Sequence, residues 1–167
     1  MNNNKEEQLI IISSELIRVP IKLTDVKISK VIYNYINDYP NSELYLKDIK
    51  YSIIIKIKEY LEHYADNTPK KIGMPLPNKD FKDCIDEWDY DFINCDTETI
   101  LELMVAANFL DINSLLDLTS AKIASLIKGK NSEEIRRILN MENDFDESDE
   151  NGEQINEKNL SESTIII

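Results

Sequence analysis

TETILELMVAANFLDINSLLDLTSAKIASLIKGKNSEEIRRILNMENDF, residues 97–145, is the stretch on which the fold turns. Apolar residues recur there at helical spacing in three successive blocks, each with its own start or stop signal. Ile100, Leu101, Leu103, Met104, Val105, Ala106, Ala107 and Phe109 make the first block apolar almost all round, the pattern of a helix buried on most faces. Its start is either Asp96 as an N-cap or a capping box of Thr99 with Glu102. Asp111 or Asn113 opens the second block, which stops near Gly129, a residue suited to the left-handed turn after a helix. Asn131 with Glu134 opens the third, through Ile135, Ile138 and Leu139.

The second block carries more than its helical period. On a wheel of about 100° per residue, Leu118, Leu115, Leu126, Ile112, Ile123, Leu116 and Ile127 spread over roughly 180°, against the stripe of about 100° that packing on one core needs. The surplus means that this helix is wedged between two layers or that one side meets a partner.

Upstream, short strands replace long helices. Leu9 to Ile12 reads as a buried strand ending at Ser13-Ser14, with Leu16 to Val19 as its hairpin partner. Thr24 or Asp25 caps a predicted helix through Val26, Ile28, Val31, Ile32, Tyr35 and Ile36. Leu44 to Leu46 is a third strand. Asp48 precedes a helix over Ile49 to Tyr64 that is amphipathic through Ile53, Ile54, Ile57, Tyr60, Leu61 and Tyr64. Asp66 to Pro77, with three prolines, Gly73 and two lysines, breaks the chain as a linker. Asp83 to Phe92 then alternates acids with Trp88, Tyr90 and Phe92, and reads as a solvated acidic loop pinning one Trp and one Phe to the core.

Composition bounds the function. The chain has 167 residues, 42% hydrophobic, with only 3 Gly and 5 Pro, which suits one domain or two small ones sharing a core. No apolar run reaches the roughly 18 residues of a membrane-spanning helix, and the polar start does not resemble a secretory signal. Lys and Arg number 19 against 32 Asp and Glu, a net charge of −13 that disfavours nucleic acid and anionic membranes and leaves protein partners. The charge is uneven: residues 1–80 carry 12 basic and 11 acidic side chains, residues 81–167 carry 7 and 21. Two cysteines, Cys84 half-exposed and Cys95 buried by expectation, fit a reducing intracellular compartment. His63 is the single histidine and reads as a helix C-terminal residue, so a histidine-rich metal site is excluded and no nucleophile is paired with it. The five carboxylates of 83–92 and the Glu147–Gly152 stretch are weak cation candidates. The latter places Lys158 where an EF-hand needs its bidentate Glu. Neither a metal nor a cofactor is expected, and neither is catalysis.

Thr99-Ile100-Leu101-Glu102-Leu103, Ala106 to Ile112, Leu115 to Thr119, Ile127 to Arg136 and Asn143-Asp144-Phe145 together closely resemble the S-phase kinase-associated adaptor family of SCF ubiquitin ligases. The likeness covers residues 97–145 almost without gaps, and Trp88-Asp89-Tyr90-Asp91-Phe92 resembles that family's Trp-Asp-x-x-Phe element. The resemblance implies a mixed α+β, mostly helical fold: a BTB/POZ-like domain with short strands followed by a C-terminal helical extension. It implies 9–66 and 81–112 as the two parts of the BTB/POZ-like domain around a 67–80 linker, and 113–145 as the F-box-binding extension; composition marks residues 1–8 as a disordered start and 146–167 as an acidic, largely disordered tail, where like charges with few apolar positions cannot offset the cost of ordering.

The family's role is non-catalytic: it bridges a cullin N-terminal domain to F-box proteins, in the cytoplasm and nucleus. Asn108 and Phe109 match its cullin-facing Asn-Tyr pair; Phe keeps the ring and drops the hydroxyl. Leu116, Ile123, Ile127, Ile135, Leu139 and Met141 match the helices that line its F-box groove, and the first three sit on the surplus part of the apolar arc. The tail departs from the pattern: Gly152 interrupts it, and Leu160 stands nearest to where the family has a terminal Trp. The rival readings are a diverged decoy that binds one partner only, and the elongin C or channel-type BTB families, which lack the helices after residue 112.

Overall fold

The computed structural model describes residues 7–73 and 80–141. The start, the middle of the linker and the acidic tail, on which several expectations above fall, lie outside the described residues.

Two strands open the fold. β1 (Gln8–Ile12) pairs antiparallel with β2 (Arg18–Lys22), Ile10 opposite Pro20. β2 therefore starts two residues later than the sequence suggests. The offset has a physical cause. Ser13 is buried and its hydroxyl accepts from the Glu15 and Ile17 amides, which ties residues 13–17 into the turn. Pro20 is tolerated inside β2 because the sheet order β2-β1-β3 makes β2 an edge, where a missing amide donor breaks no ladder. Leu9, Ile11, Val19 and Ile21 all point to the core.

The single helix expected from Thr24 is two elements. A 3-10 turn spans Asp25–Ile28, and α1 (Lys30–Asp38) follows after Ser29, which is extended. The Ser29 hydroxyl accepts from the Ile32 amide and donates to the Leu110 carbonyl at 2.7 Å. A tertiary bond thus divides a pattern that periodicity reads as continuous.

β3 (Leu44–Tyr45) lies parallel to β1. α2 (Tyr51–His63) buries Ile53, Ile54, Ile57, Tyr60 and Leu61 as its period requires. Asp48 does not cap it. Glu15, in the hairpin turn, accepts from the Tyr51 amide at 2.8 Å and serves the first turn of α2 instead.

The acidic–aromatic segment is not a loop throughout. A second 3-10 turn, Phe81–Cys84, precedes α3 (Glu87–Phe92). Trp88 stacks flat on His63 with ring centroids 3.6 Å apart, and Phe92 packs on Tyr60 and Trp88. Asp89 is buried and accepts from the Tyr64 hydroxyl at 2.8 Å, so one acid of this stretch faces inward. Burial raises its carboxyl pKa. Cys84 and Cys95 are both half-buried free thiols, so Cys95 is more open than its sequence context suggests.

Three helices complete the described chain. α4 (Thr97–Phe109) has Asp96 as its N-cap, accepting from the Thr99 amide at 2.9 Å. α5 (Asn113–Ile127) packs on α4, and α6 (Ser132–Ile138) packs on α5. Neither Asp111 nor Asn113 caps α5; Ile112 precedes it with no side-chain bond. Asp111 (φ 49°) instead closes α4: its amide donates to Asn108 and the Ile112 amide to Ala107, a Schellman turn. Gly129 (φ 73°) follows α5, and Asn131 with Glu134 forms the capping box of α6. One core runs from Leu9 and Ile11 of the sheet through α2 to Leu115 and Leu118 of α5. The fold is mixed α+β and mostly helical, with a three-stranded sheet among the described residues.

Candidate protein-binding surfaces

The first surface is built on α4. Its turns bury Ile100, Leu103, Ala106 and Ala107, all but fully, against the core. The opposite side is not buried, contrary to the all-round apolar pattern. Leu101 is half-buried, Val105 is 67% exposed and Phe109 59% exposed, and the spacing of four aligns them as one ridge. Asn108 is exposed beside Phe109, at the end of the helix. The two residues singled out for a cullin therefore lie on solvent, and the ridge extends their patch along α4. Leu101 and Val105 were missed because apolarity all round reads as burial. The signal that separates them is their four-residue spacing with Phe109, opposite the small pair Ala106-Ala107.

Between this ridge and the start of α2 lies a cleft of about 270 Å³, lined by Ile49, Lys50, Ile53, Leu101, Val105 and Ala106 among others. Lys50 and Glu102 form an ion pair across its rim, and that hydrogen bond holds the ammonium above its usual range. Lys30 and Asp111, two residues past Phe109, pair at 3.1 Å.

The second surface is built on α5 and α6. Ile112, Leu115, Leu118 and Ala121 take the buried side of α5. Leu116, Ile123 and Ile127 are half-buried, as are Ile135 and Leu139, while Met141 is 59% exposed. The wide arc on the wheel thus resolves into a buried side and a half-open one. Within the half-open side, Leu116 and Ile123 lean on the core, as does Leu126. The packing of α6 on α5 brings the half-open residues of the two helices into one region.

The α4–α5 hairpin sets the two surfaces apart. Ser120 donates to the Met104 sulfur at 3.7 Å, the pairing that an antiparallel turn at 110–112 requires. Phe109 is at that turn and Ile127 at the far end of α5, separated by roughly 20 Å at 1.5 Å per residue.

Nothing in these surfaces assembles reactive groups. Among the described residues, no three His, Cys, Asp or Glu side chains are placed to hold a metal, and no helix is long and apolar enough to cross a membrane. His63 is taken up by its stack on Trp88. The arrangement offers apolar patches with charged rims, which is material for protein recognition.

Known proteins are similar to this chain. The model of the Skp1 family, dimerisation domain, matches residues 113–160. The S-phase kinase-associated protein 1 homolog of Tetrahymena thermophila is 37% identical over 154 residues, covering 91% of this chain and 90% of that protein. The SCF ubiquitin ligase complex protein SKP1a of Dictyostelium discoideum is 38% identical over 133 residues, 78% of this chain and 80% of its own. The E3 ubiquitin ligase complex SCF subunit sconC of Talaromyces stipitatus is 34% identical over 154 residues, 91% and 94% respectively.

Proposed function

The chain belongs to the Skp1 family, and from that premise we propose that it is the adaptor subunit of an SCF-type cullin–RING ubiquitin ligase. It holds a cullin N-terminal domain on the α4 surface through Asn108 and Phe109. It holds F-box proteins on the α5–α6 surface through Leu116, Ile123, Ile127, Ile135, Leu139 and Met141. It performs no bond chemistry: it contributes proximity and orientation between a substrate receptor and the ligase. Its working compartments are the cytoplasm and nucleus, where two free thiols persist.

One observation supports this reading above the others. Two half-open apolar surfaces stand on one helical hairpin, one along α4 and one along α5 and α6, which is what a bridging protein needs. The names of the relatives support membership in such a complex, and the exposure of Phe109 and Met141 supports these residues as contacts.

Separate pull-downs with a cullin N-terminal domain and an F-box domain test it. Asn108→Lys with Phe109→Lys would desolvate two cations at the interface and is expected to abolish cullin capture with F-box capture intact. Ile127→Asp is expected to weaken F-box association by more than about 2 kcal/mol and to leave cullin capture intact. Ile127 is a better probe than Ile123, whose side chain also supports the core. Unchanged cullin binding in a folded Asn108/Phe109 variant would refute the assignment of that face.

A further inference from the structure

Asn108 and Phe109 are the last two residues of α4. The carbonyls at such an end have no partners further along the helix, and the end frays unless another group takes them. In this fold the first turn of α1 takes them. The Ser29 hydroxyl donates to the Leu110 carbonyl at 2.7 Å, and the Val31 amide donates to the same oxygen at 3.4 Å. The Lys30 amide donates to the Asp111 carbonyl at 3.5 Å, and the Lys30 ammonium pairs with the Asp111 carboxylate at 3.1 Å. The Lys30 and Val31 amides are themselves donors that the start of α1 leaves without helical acceptors, so each helix end satisfies the other.

These bonds differ in depth. Ser29, Leu110 and Ile112 are fully buried, whereas Lys30 is exposed. Between Leu110 and Ile112, Asp111 takes φ 49°, a left-handed conformation that persists where the surrounding structure determines it. Phe109 lacks comparable burial: it is 59% exposed, and Asn108 beside it is exposed too. The backbone of this turn, more than any packing of their own, sets the direction of the two side chains.

We propose that Ser29 is a positioning residue for the α4 surface. Through the Leu110 carbonyl it locks the turn after α4 and fixes the direction in which Asn108 and Phe109 meet a partner. The lock stands on the bonds alone; its consequence for cullin capture rests on the function proposed above. A partner that needs one orientation of the pair binds more weakly in proportion to the fraction of molecules that hold it. None of these bonds involves the residues assigned to F-box proteins.

Titration of the full-length protein with each partner domain reads that consequence. Ser29→Ala is expected to weaken affinity for a cullin N-terminal domain by about three- to tenfold and to leave F-box affinity within about twofold of the parent. Ser29→Thr keeps the hydroxyl and is expected to restore cullin affinity. Lys30→Gln is expected to lose no more than about twofold, because an exposed ion pair holds little. Unchanged cullin affinity in Ser29→Ala overturns the proposal. So do equal losses toward both partners, or a loss in the threonine variant as large as in the alanine one, since either makes Ser29 a general support of the fold. If Ser29→Ala does not fold, Ser29→Cys, whose thiol donates weakly, is read in its place.

Fluorine NMR reads the lock with no partner present. In protein labelled with 4-fluorophenylalanine, the Phe109 signal is the one absent from Phe109→Leu. Ser29→Ala is expected to narrow that signal and move it toward its position in urea, while the signals of Phe81 and Phe92 stay in place. A Phe109 signal that does not change, or three signals that move together, overturns the lock. Absence of cullin capture by the parent protein counts against the proposed function, and the fluorine signal still decides the lock.

Discussion

The Tyr64 hydroxyl and the Asp89 carboxylate meet at 2.8 Å among the rings that hold α3 on α2. Burial pushes the Asp89 carboxyl above the usual carboxylate range, although the Tyr64 bond pulls the other way. Burial likewise pushes the Tyr64 phenol far upward, so it donates at every accessible pH. A carboxyl whose pKa is raised by folding favours the folded state most below its unfolded pKa. That contribution is lost as pH rises through the folded value. Asp89→Asn keeps an acceptor for Tyr64 and removes the charge. It is therefore expected to leave stability at pH near 7 unchanged or higher, and to flatten its decline from mildly acidic pH, as read by urea unfolding. Tyr64→Phe leaves the carboxylate buried without its donor and is expected to cost about 1–3 kcal/mol at neutral pH. Leu16 is a different kind of strained residue: a Leu at φ 63°, 70% exposed in the hairpin turn. Leu16→Gly relieves the left-handed conformation at little loss of packing, and thermal unfolding is expected to show a gain of up to about 1 kcal/mol.

Elements in this protein are capped across the fold as well as along the chain. Ser29 is the N-cap of α1 and, through its hydroxyl hydrogen, the partner of the Leu110 carbonyl in the α4–α5 turn, 81 residues away. Ser29→Ala removes a cap and the shorter of two bonds to the Leu110 carbonyl, which keeps the Val31 amide at 3.4 Å, so it is expected to cost about 1–2 kcal/mol in equilibrium unfolding. Ser29→Thr, which keeps the hydroxyl, separates lost bonding from lost shape. Glu15 does for α2 what Ser29 does for α1. The Tyr51 amide bond holds the Glu15 carboxyl below its usual range, and the Thr99 bonds do the same for Asp96 at the head of α4. For these two the sign is opposite to Asp89. Their contribution is present above the ordinary carboxylate range and lost as the pH falls through the lowered folded value. Glu15→Gln is expected to shrink the acid-side loss of stability without moving the decline at higher pH that Asp89 contributes, so the two variants separate by pH.

Taken whole, the molecule is one core with two open surfaces, and the α4–α5 hairpin connects them rigidly. Phe109 and Ile127, roughly 20 Å apart along α5, should respond independently. A double-mutant cycle between Phe109→Lys and Ile127→Asp is expected to be additive within about 0.5 kcal/mol for either partner, measured by calorimetric titration. Coupling beyond that would mean that the hairpin itself has two arrangements.

Local chemistry was enough to read most of this protein before any coordinate. The strand Leu9–Ile12, the buried stripe of α2, the Asn131–Glu134 capping box and the stop at Gly129 are each set by neighbours a few residues away, and all are present in the fold. So is the division of α5 into two apolar sides, because a helical period is a local property. The family, too, is legible in residues 97–145, since its motifs are contiguous. What periodicity could not supply was any bond between distant residues. Ser29 splits a helix by reaching Leu110, Glu15 caps α2 from a hairpin, and Asp89 turns inward to Tyr64 within an acidic stretch that reads as solvated. The same limit hid the ridge of Leu101 and Val105. An apolar residue has the same helical period whether its side faces core or solvent, and only the packing of α2, α4 and α5 against one another decides which.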